Sequence, residues 1–364
     1  MTESEEYLTR QLITYIGNKR SLLDFIGRGI AAVQEKLNKK KLKTFDVFSG
    51  SGIVARYLKQ YSDLLIVNDL EKYSAVINAC YLSNENEIDQ VLLHKYYDGI
   101  TAELNGPLRN GFIAQLYAPE DDNNIKQNER VFYTTRNAMY IDTARQLIGT
   151  LPETEQKYFL APLLSEASIH ANTSGVFKGF YKNRNTGAGQ FGGMNRDALF
   201  RIKGDIQLPF PVFSKFNCET VICNDDSNKI IGNLPELDLA YIDPPYNQHP
   251  YGSNYFMLNV ILDYRYPQNI SKVSGIPADW HRSDYNKSAK ALSALTELVT
   301  NIKSKFVLIS FNSEGFISTE QMKNMLQKNG KLQILETKYN TFRGSRNLGG
   351  REIHVREYLY LLEK

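Results

Sequence analysis

Apolar residues Leu22, Leu23, Phe25, Ile26, Ile30, Val33 and Leu37 recur at helical spacing, and the pattern predicts a helix over 20–37. A lysine run breaks it, and Thr44-Phe45-Asp46-Val47-Phe48 reads as a strand. Ser49-Gly50-Ser51-Gly52 is a turn of small residues opening a second helix at 53–58. A short apolar strand, 64–67, ends in Asn68-Asp69, and a further helix is expected over about 72–83. Such a βαβα opening builds a parallel sheet covered by helices.

The same pattern returns late in the chain. Val221-Ile222-Cys223 runs into Asn224-Asp225-Asp226, the apolar run 237–242 into Asp243-Pro244-Pro245-Tyr246, and 306–311 into Asn312. In open parallel sheets ligands bind beyond the carboxyl ends of the strands, so strands finishing in Asp or Asn mark where a site is built. Any one such ending is also an ordinary turn, and only the combination carries weight.

Residues 86–204 differ. Helical patterns at about 129–149 and 155–171 precede a stretch, 172–204, rich in Asn, Gly and aromatics. It carries Lys178, Lys182, Arg184, Arg196, Arg201 and Lys203 against the single acid Asp197. Phe177, Phe180, Tyr181, Phe191 and Phe200 are interleaved as stacking surfaces, a combination suited to a nucleic-acid backbone and its bases. The plainer alternative is a solvated loop with its aromatics tucked into the core.

Composition narrows the class. With 364 residues, 42% hydrophobic and 23% charged, the chain is an ordinary folded protein rather than a disordered or fibrous one. No apolar run approaches the ~20 residues needed to span a bilayer, and the polar N-terminus lacks a secretory pattern, so no membrane partner is expected. Cys80, Cys218 and Cys223 are too few for a disulfide framework and lack zinc-ligand spacing, which points to the cytoplasm and to a metal-free site. The net charge of +3 names no polyanion partner, so any basic surface is local.

Asp243-Pro244-Pro245-Tyr246 is the sharpest chemical signal. An exocyclic amine on a nucleobase is a poor nucleophile because its lone pair is delocalised into the ring. Acceptors that hold both N–H groups let the nitrogen pyramidalise; an Asp carboxylate and the carbonyl of Pro244, stiffened by Pro245, supply them. Tyr246 offers a face for a base flipped out of its duplex. Attack at cytosine C5 would need a Pro-Cys nucleophile, and none of the three cysteines follows proline.

These motifs resemble the D12 class of DNA adenine-N6 methyltransferases, the Dam-like and type II restriction–modification enzymes. The resemblance covers about 1–85 and 215–364, through Tyr15-Ile16-Gly17-Asn18-Lys19-Arg20, Asp46 to Gly52, Asn68-Asp69, Asp225-Asp226 and Asp243 to Tyr246. That order matches the family's alpha arrangement; 172–180 and Asn247-Gln248 resemble the type IIS kind. The resemblance implies S-adenosylmethionine as cofactor, held by Asp46, Phe48, Ser49, Gly50 and Gly52, with Asp69 on the ribose hydroxyls. Tyr15, Gly17 and Lys19 complete that set, Lys19 pairing with the methionine carboxylate. Asp225 or Asp226 meets the adenine ring; the sequence does not choose, and Asp243 borders the cofactor as well as the base. Double-stranded DNA is the implied partner, met by Lys178, Lys182, Arg184, Arg196, Asn247 and Tyr251, and by Arg343 and Arg346 in a basic loop between strand-like runs at 333–339 and 354–362. A cognate restriction endonuclease is the implied functional partner.

The expected architecture is a doubly wound, Rossmann-like α/β catalytic domain, 1–85 and 215–364, with a mainly helical target-recognition insertion, 86–214. The expected activity is methylation of adenine N6 in duplex DNA by direct transfer. RNA adenine-N6 or cytosine-N4 methylation, or a catalytically silent DNA-binding protein, are the competing readings. The intact Asp243 motif argues against the last.

Overall fold

The computed structural model describes residues 3–193, 198–340 and 354–364. Five strands run parallel: β1 (Leu42–Asp46), β2 (Ser62–Asn68), β3 (Glu219–Cys223), β4 (Leu237–Ile242) and β5 (Ser304–Asn312). β6 (Lys331–Asn340) and β7 (His354–Glu363) form an antiparallel pair, with β7 also antiparallel to β5. The sheet order is β3-β2-β1-β4-β5-β7-β6. Strand order reverses between β1 and β4, which makes the carboxyl ends of these two strands the switch point where a ligand crevice opens.

β4 is buried along its whole length, which explains why 237–242 reads as a near-continuous apolar run rather than an alternation. One sheet face, with Phe45, Ile66, Ala240 and Val307, packs under the helices Ser288–Asn301 and Thr319–Gln327. The other, with Leu65, Leu239, Tyr241 and Leu308, lies under Leu23–Leu37 and Ile53–Lys59. In the first of these helices a Cβ on Gly29 would stand 2.9 Å from both Leu308 methyl carbons, so a residue without one lets the helix sit close on β5. The helix ends at Asn38 in the left-handed conformation (φ 51°), whose N–H bonds the Gln34 and Glu35 carbonyls.

Between β2 and β3 the described residues hold helices, the longest being Gln90–Leu104, Thr135–Ile148 and Glu153–Ile169, and no strand of the sheet. Their core is continuous with the helices Lys72–Tyr81 and Phe256–Asp263. The helix expected from about 129 starts at Thr135 because the Thr134 hydroxyl caps it, accepting from the Asn137 N–H. Val131, Phe132 and Tyr133 are buried ahead of it, apolar for packing rather than for helix.

The aromatics of 172–204 follow the plainer of the two readings. Phe177, Phe180 and Phe191 belong to the core, Phe180 edge-on to Phe132 at 5.2 Å, and offer no open stacking face. Arg201 is spent internally on the carbonyls of Ile169 and Ala171. Phe200 is exposed, as are Lys178, Lys182 and Arg184. Arg196, Arg343 and Arg346 lie outside the described residues.

Candidate active site

The turn after β1 is built by hydrogen bonds reaching the neighbouring strand end. The Ser49 N–H donates to the Asn68 carbonyl at 2.9 Å and the Gly50 N–H to Asp69 Oδ2 at 2.8 Å. Gly50 and Gly52 both take left-handed backbone (φ 51° and 75°), and a Cβ on Gly50 would stand 2.7 Å from Tyr15 Cε1. Asp69 Oδ1 accepts from the Glu71 N–H at 2.9 Å, so two backbone donors aim this carboxylate. Burial still raises it to about 6 against those bonds, and burial followed by Asp69 raises Glu71 to about 7.

Asn68 ties three strand ends together. Its amide donates to the Val47 carbonyl at 3.3 Å and the Asp225 carbonyl at 3.0 Å, and its Oδ1 accepts from the Asp225 N–H at 3.1 Å. A strand-end Asn in the sequence is indistinguishable from a turn former, and this role was not legible there. Asp46 is buried, and burial together with Asp243 and Asp69 pushes it well above the carboxylate range against the opposing backbone N–H groups of Ala55 and Phe48.

At the end of β4, Asp243 Oδ1 lies 3.1 Å from Lys19 Nζ, and that ammonium lies 3.3 Å from Glu357 Oε1. Glu357, fully buried on β7, also accepts from Ser310 Oγ at 2.6 Å. Burial alone would lower Lys19, but Asp243 and then Glu357 outweigh it and hold it well above the lysine value. Burial raises Asp243 to about 6, offset only in part by Lys19. Lys19 is thus enclosed between carboxylates rather than on the cavity wall. Sequence reasoning missed Glu357, although the alternation Glu357-Leu359-Leu361 puts an acid where the strand pattern calls for an apolar side chain.

One cavity gathers most of the predicted cofactor positions. Tyr15, Gly17, Phe48, Gly50, Asp69, Asp225, Asp226, Asp243 and Pro245 all line it. Tyr251, expected at DNA, lines it too, stacked on Tyr15 at 4.9 Å and donating to the Ile16 carbonyl at 3.0 Å. Asp46, Lys19, Ser49, Gly52, Pro244 and Tyr246 are not among the residues that line the cavity. Asn247 belongs to the loop after Tyr246, its carbonyl held by Asn286 at 2.9 Å. Glu71, His281, Ser283 and Asn286 are lining residues that no sequence pattern marked. The wall carries five acids and no Lys or Arg, which repels a phosphate-bearing cofactor and suits a cationic one. Among the described residues no cluster of His, Cys, Asp and Glu is arranged to hold a metal, and no helix is long and apolar enough to cross a membrane.

An open sheet in this order, with an acidic cavity at its switch point, is the fold of S-adenosylmethionine-dependent methyltransferases. Within that class the chain belongs to the D12 class N6 adenine-specific DNA methyltransferases, whose family model matches residues 15–325. It is 29% identical to the type II methyltransferase M.NlaIII of Neisseria lactamica, over 97% of this chain and 99% of that protein. It is 28% identical to the type II methyltransferase M.CviAII of Paramecium bursaria Chlorella virus 1, covering 96% and 98%. Against the type II methyltransferase M.FokI of Planomicrobium okeanokoites it is 25% identical, 96% of this chain aligning with 52% of that protein.

Proposed function

We propose that the protein transfers the methyl group of S-adenosylmethionine to N6 of an adenine flipped out of double-stranded DNA, as the modification enzyme of a restriction–modification system. The observation that carries this reading is the Asp243 carboxylate, held by Lys19 on the wall of a cavity lined by acids. When bound, the donor supplies an electrophilic methyl group on a cationic sulfur. Gly50, without a Cβ, would leave it room, Asp69 would accept from its sugar hydroxyls, and the acidic wall would balance its charge.

The target adenine needs acceptors for its N6–H bonds, and Asp243 with the Pro244 carbonyl supplies them. As N6 attacks the methyl carbon, whose bond to sulfur breaks with its electron pair left on the now neutral sulfur, the N6 lone pair leaves the ring, positive charge grows on nitrogen, and the Asp243 carboxylate stabilises that charge. The surplus proton passes from N6 to Asp243 and on to solvent. Tyr246 stacks the base in this reading, its ring supported edge-on by Phe311 at 6.1 Å. Residues 1–85 and 215–364 form the catalytic part in this reading, and 86–214 carry target recognition. The type II relatives M.NlaIII and M.CviAII support the restriction–modification role.

Three expected results follow from this site. Sequencing for modified bases the DNA of a host that expresses the protein should reveal N6-methyladenine at one recurring sequence, whereas modified cytosine alone would refute the reading. Gly50→Ala forces an L residue into left-handed backbone, at about 1–2 kcal/mol, and drives its Cβ toward Tyr15. Donor affinity measured by calorimetry should fall about tenfold, and an unchanged Kd contradicts the cradle. Because Asp243 and Asp69 are raised to about 6, their accepting carboxylate forms dominate above that pH and vanish below it. kcat/KM for the donor, which reports the free enzyme, should level off above about 6 and fall below it with a slope approaching roughly a hundredfold per pH unit, because both carboxylates must be ionised; a flat profile to pH 5 would contradict the assignment.

A further inference from the structure

Beside the acidic cavity lies a surface of opposite character. An open groove of about 570 Å³ is bounded by Gln248 and Pro250 of the loop after Tyr246, by Lys178, and by Trp280 and Arg282. No Asp or Glu lines it, and among the described residues neither Lys178 nor Arg282 has a carboxylate partner. The two cations line one groove without a counter-ion there, and partial burial followed by the nearby Arg282 lowers the Lys178 ammonium. His249 is lowered in turn by burial and by Lys178.

The loop leading to Trp280 and Arg282 is anchored over 270–277. Ile270 and Pro277 pair as an antiparallel bridge, and Gly275 closes the turn at φ 68° with its N–H on the Ser271 carbonyl at 2.9 Å. Tyr117 Oη donates to the Gly275 carbonyl at 2.8 Å and Ser274 Oγ to the Lys178 carbonyl at 2.5 Å. On this anchored excursion Trp280, Val273 and Tyr266 remain exposed. Arg282 sits between His281 and Ser283, both of which line the reaction cavity, so groove and cavity share one rim.

We propose that this groove binds the sugar–phosphate backbone of the strand that carries the target adenine, immediately beside the flipped nucleotide, with Lys178 and Arg282 on phosphate and Trp280 stacked on a flanking base or sugar. The proposal rests on the DNA-methylating reading. The acidic cavity repels phosphates while admitting a neutral base and a cationic donor; two cations lacking a counter-ion, on its rim, are where the phosphates flanking that base are drawn. Base–aromatic stacking is worth about 1–3 kcal/mol per base, so an exposed Trp at this place adds a contact indifferent to sequence.

Trp280 is the protein's only tryptophan and therefore a built-in reporter. Titrating the intact protein with duplex DNA containing its own methylated sequence should quench intrinsic tryptophan fluorescence in step with DNA binding measured independently by filter retention. Lys178→Gln/Arg282→Gln should reduce the slope of log affinity against log salt by about 2, roughly one per charge removed, and raise KM for DNA while leaving donor affinity unchanged. Unaltered fluorescence at saturating DNA, together with an unaltered salt slope in the double variant, overturns the groove while leaving methylation intact. A wild-type protein that neither binds nor methylates any duplex overturns the reading beneath it.

Discussion

Asp243→Asn is expected to reduce methyl transfer at least roughly 10³-fold, about 4 kcal/mol of transition-state stabilisation, without unfolding the protein. The first half follows from chemistry. A neutral amide is a weaker acceptor, places an N–H where a lone pair is required, and carries no charge to oppose the cation forming at N6. The second half follows from the surroundings of the residue. Asp243, Lys19 and Glu357 form a buried group of two carboxylates and one ammonium, with Lys19 2% and Glu357 0% exposed. Removing one negative charge leaves a balanced Lys19–Glu357 pair, so thermal stability should hold or rise. That pairing of lost activity with retained stability is the signature of a strained functional site. Single-turnover assays and melting curves on the same preparation measure both; a variant within tenfold of wild type contradicts the catalytic assignment.

Lys19→Met should have the largest effect on stability. It strands two carboxylates, Asp243 and Glu357, in a site from which water is largely excluded. Breaking a buried pair by deleting one partner costs about 3–5 kcal/mol, because a charge is left uncompensated. Protonation relieves part of this cost at acidic pH, so the loss should be greater at pH 8 than at pH 5. Adding Glu357→Gln to Lys19→Met should recover much of the stability, since the amide keeps its bond to Ser310 without the charge, yet activity should not return because Asp243 still lacks its partner. Denaturant midpoints of wild type, both single variants and the double variant supply the cycle. Additive losses would mean that Lys19 and Glu357 are energetically independent.

The strands and turns that build the site were legible because their signals are local. Ser49 to Gly52 demanded a tight turn after an apolar run, and Asp243 to Tyr246 followed a run that could only be a buried strand; the fold places both ends at the switch point between β1 and β4. Glu357 was not legible because its partner, Lys19, lies at the far end of the chain and only β7 pairing with β5 brings them together. Phe177, Phe180 and Phe191 misled for the opposite reason. Aromatics spaced among cations look alike in sequence whether they face bases or a core, and the core of the helical segment claimed them. Trp280 and Arg282 sit in a polar stretch with no periodicity, and only their position on the cavity rim gives them meaning.

The central claim is that Asp243 directs methyl transfer to adenine N6 in duplex DNA. Its most direct test is to incubate the purified protein and its Asp243→Asn variant with methyl-labelled S-adenosylmethionine and duplex DNA, digest to nucleosides and identify the labelled product. The account predicts label in N6-methyladenosine of the deoxy series from the wild type and almost none from the variant. Label in N4-methylcytosine, label only when RNA is supplied, or equal yields from both proteins would contradict it.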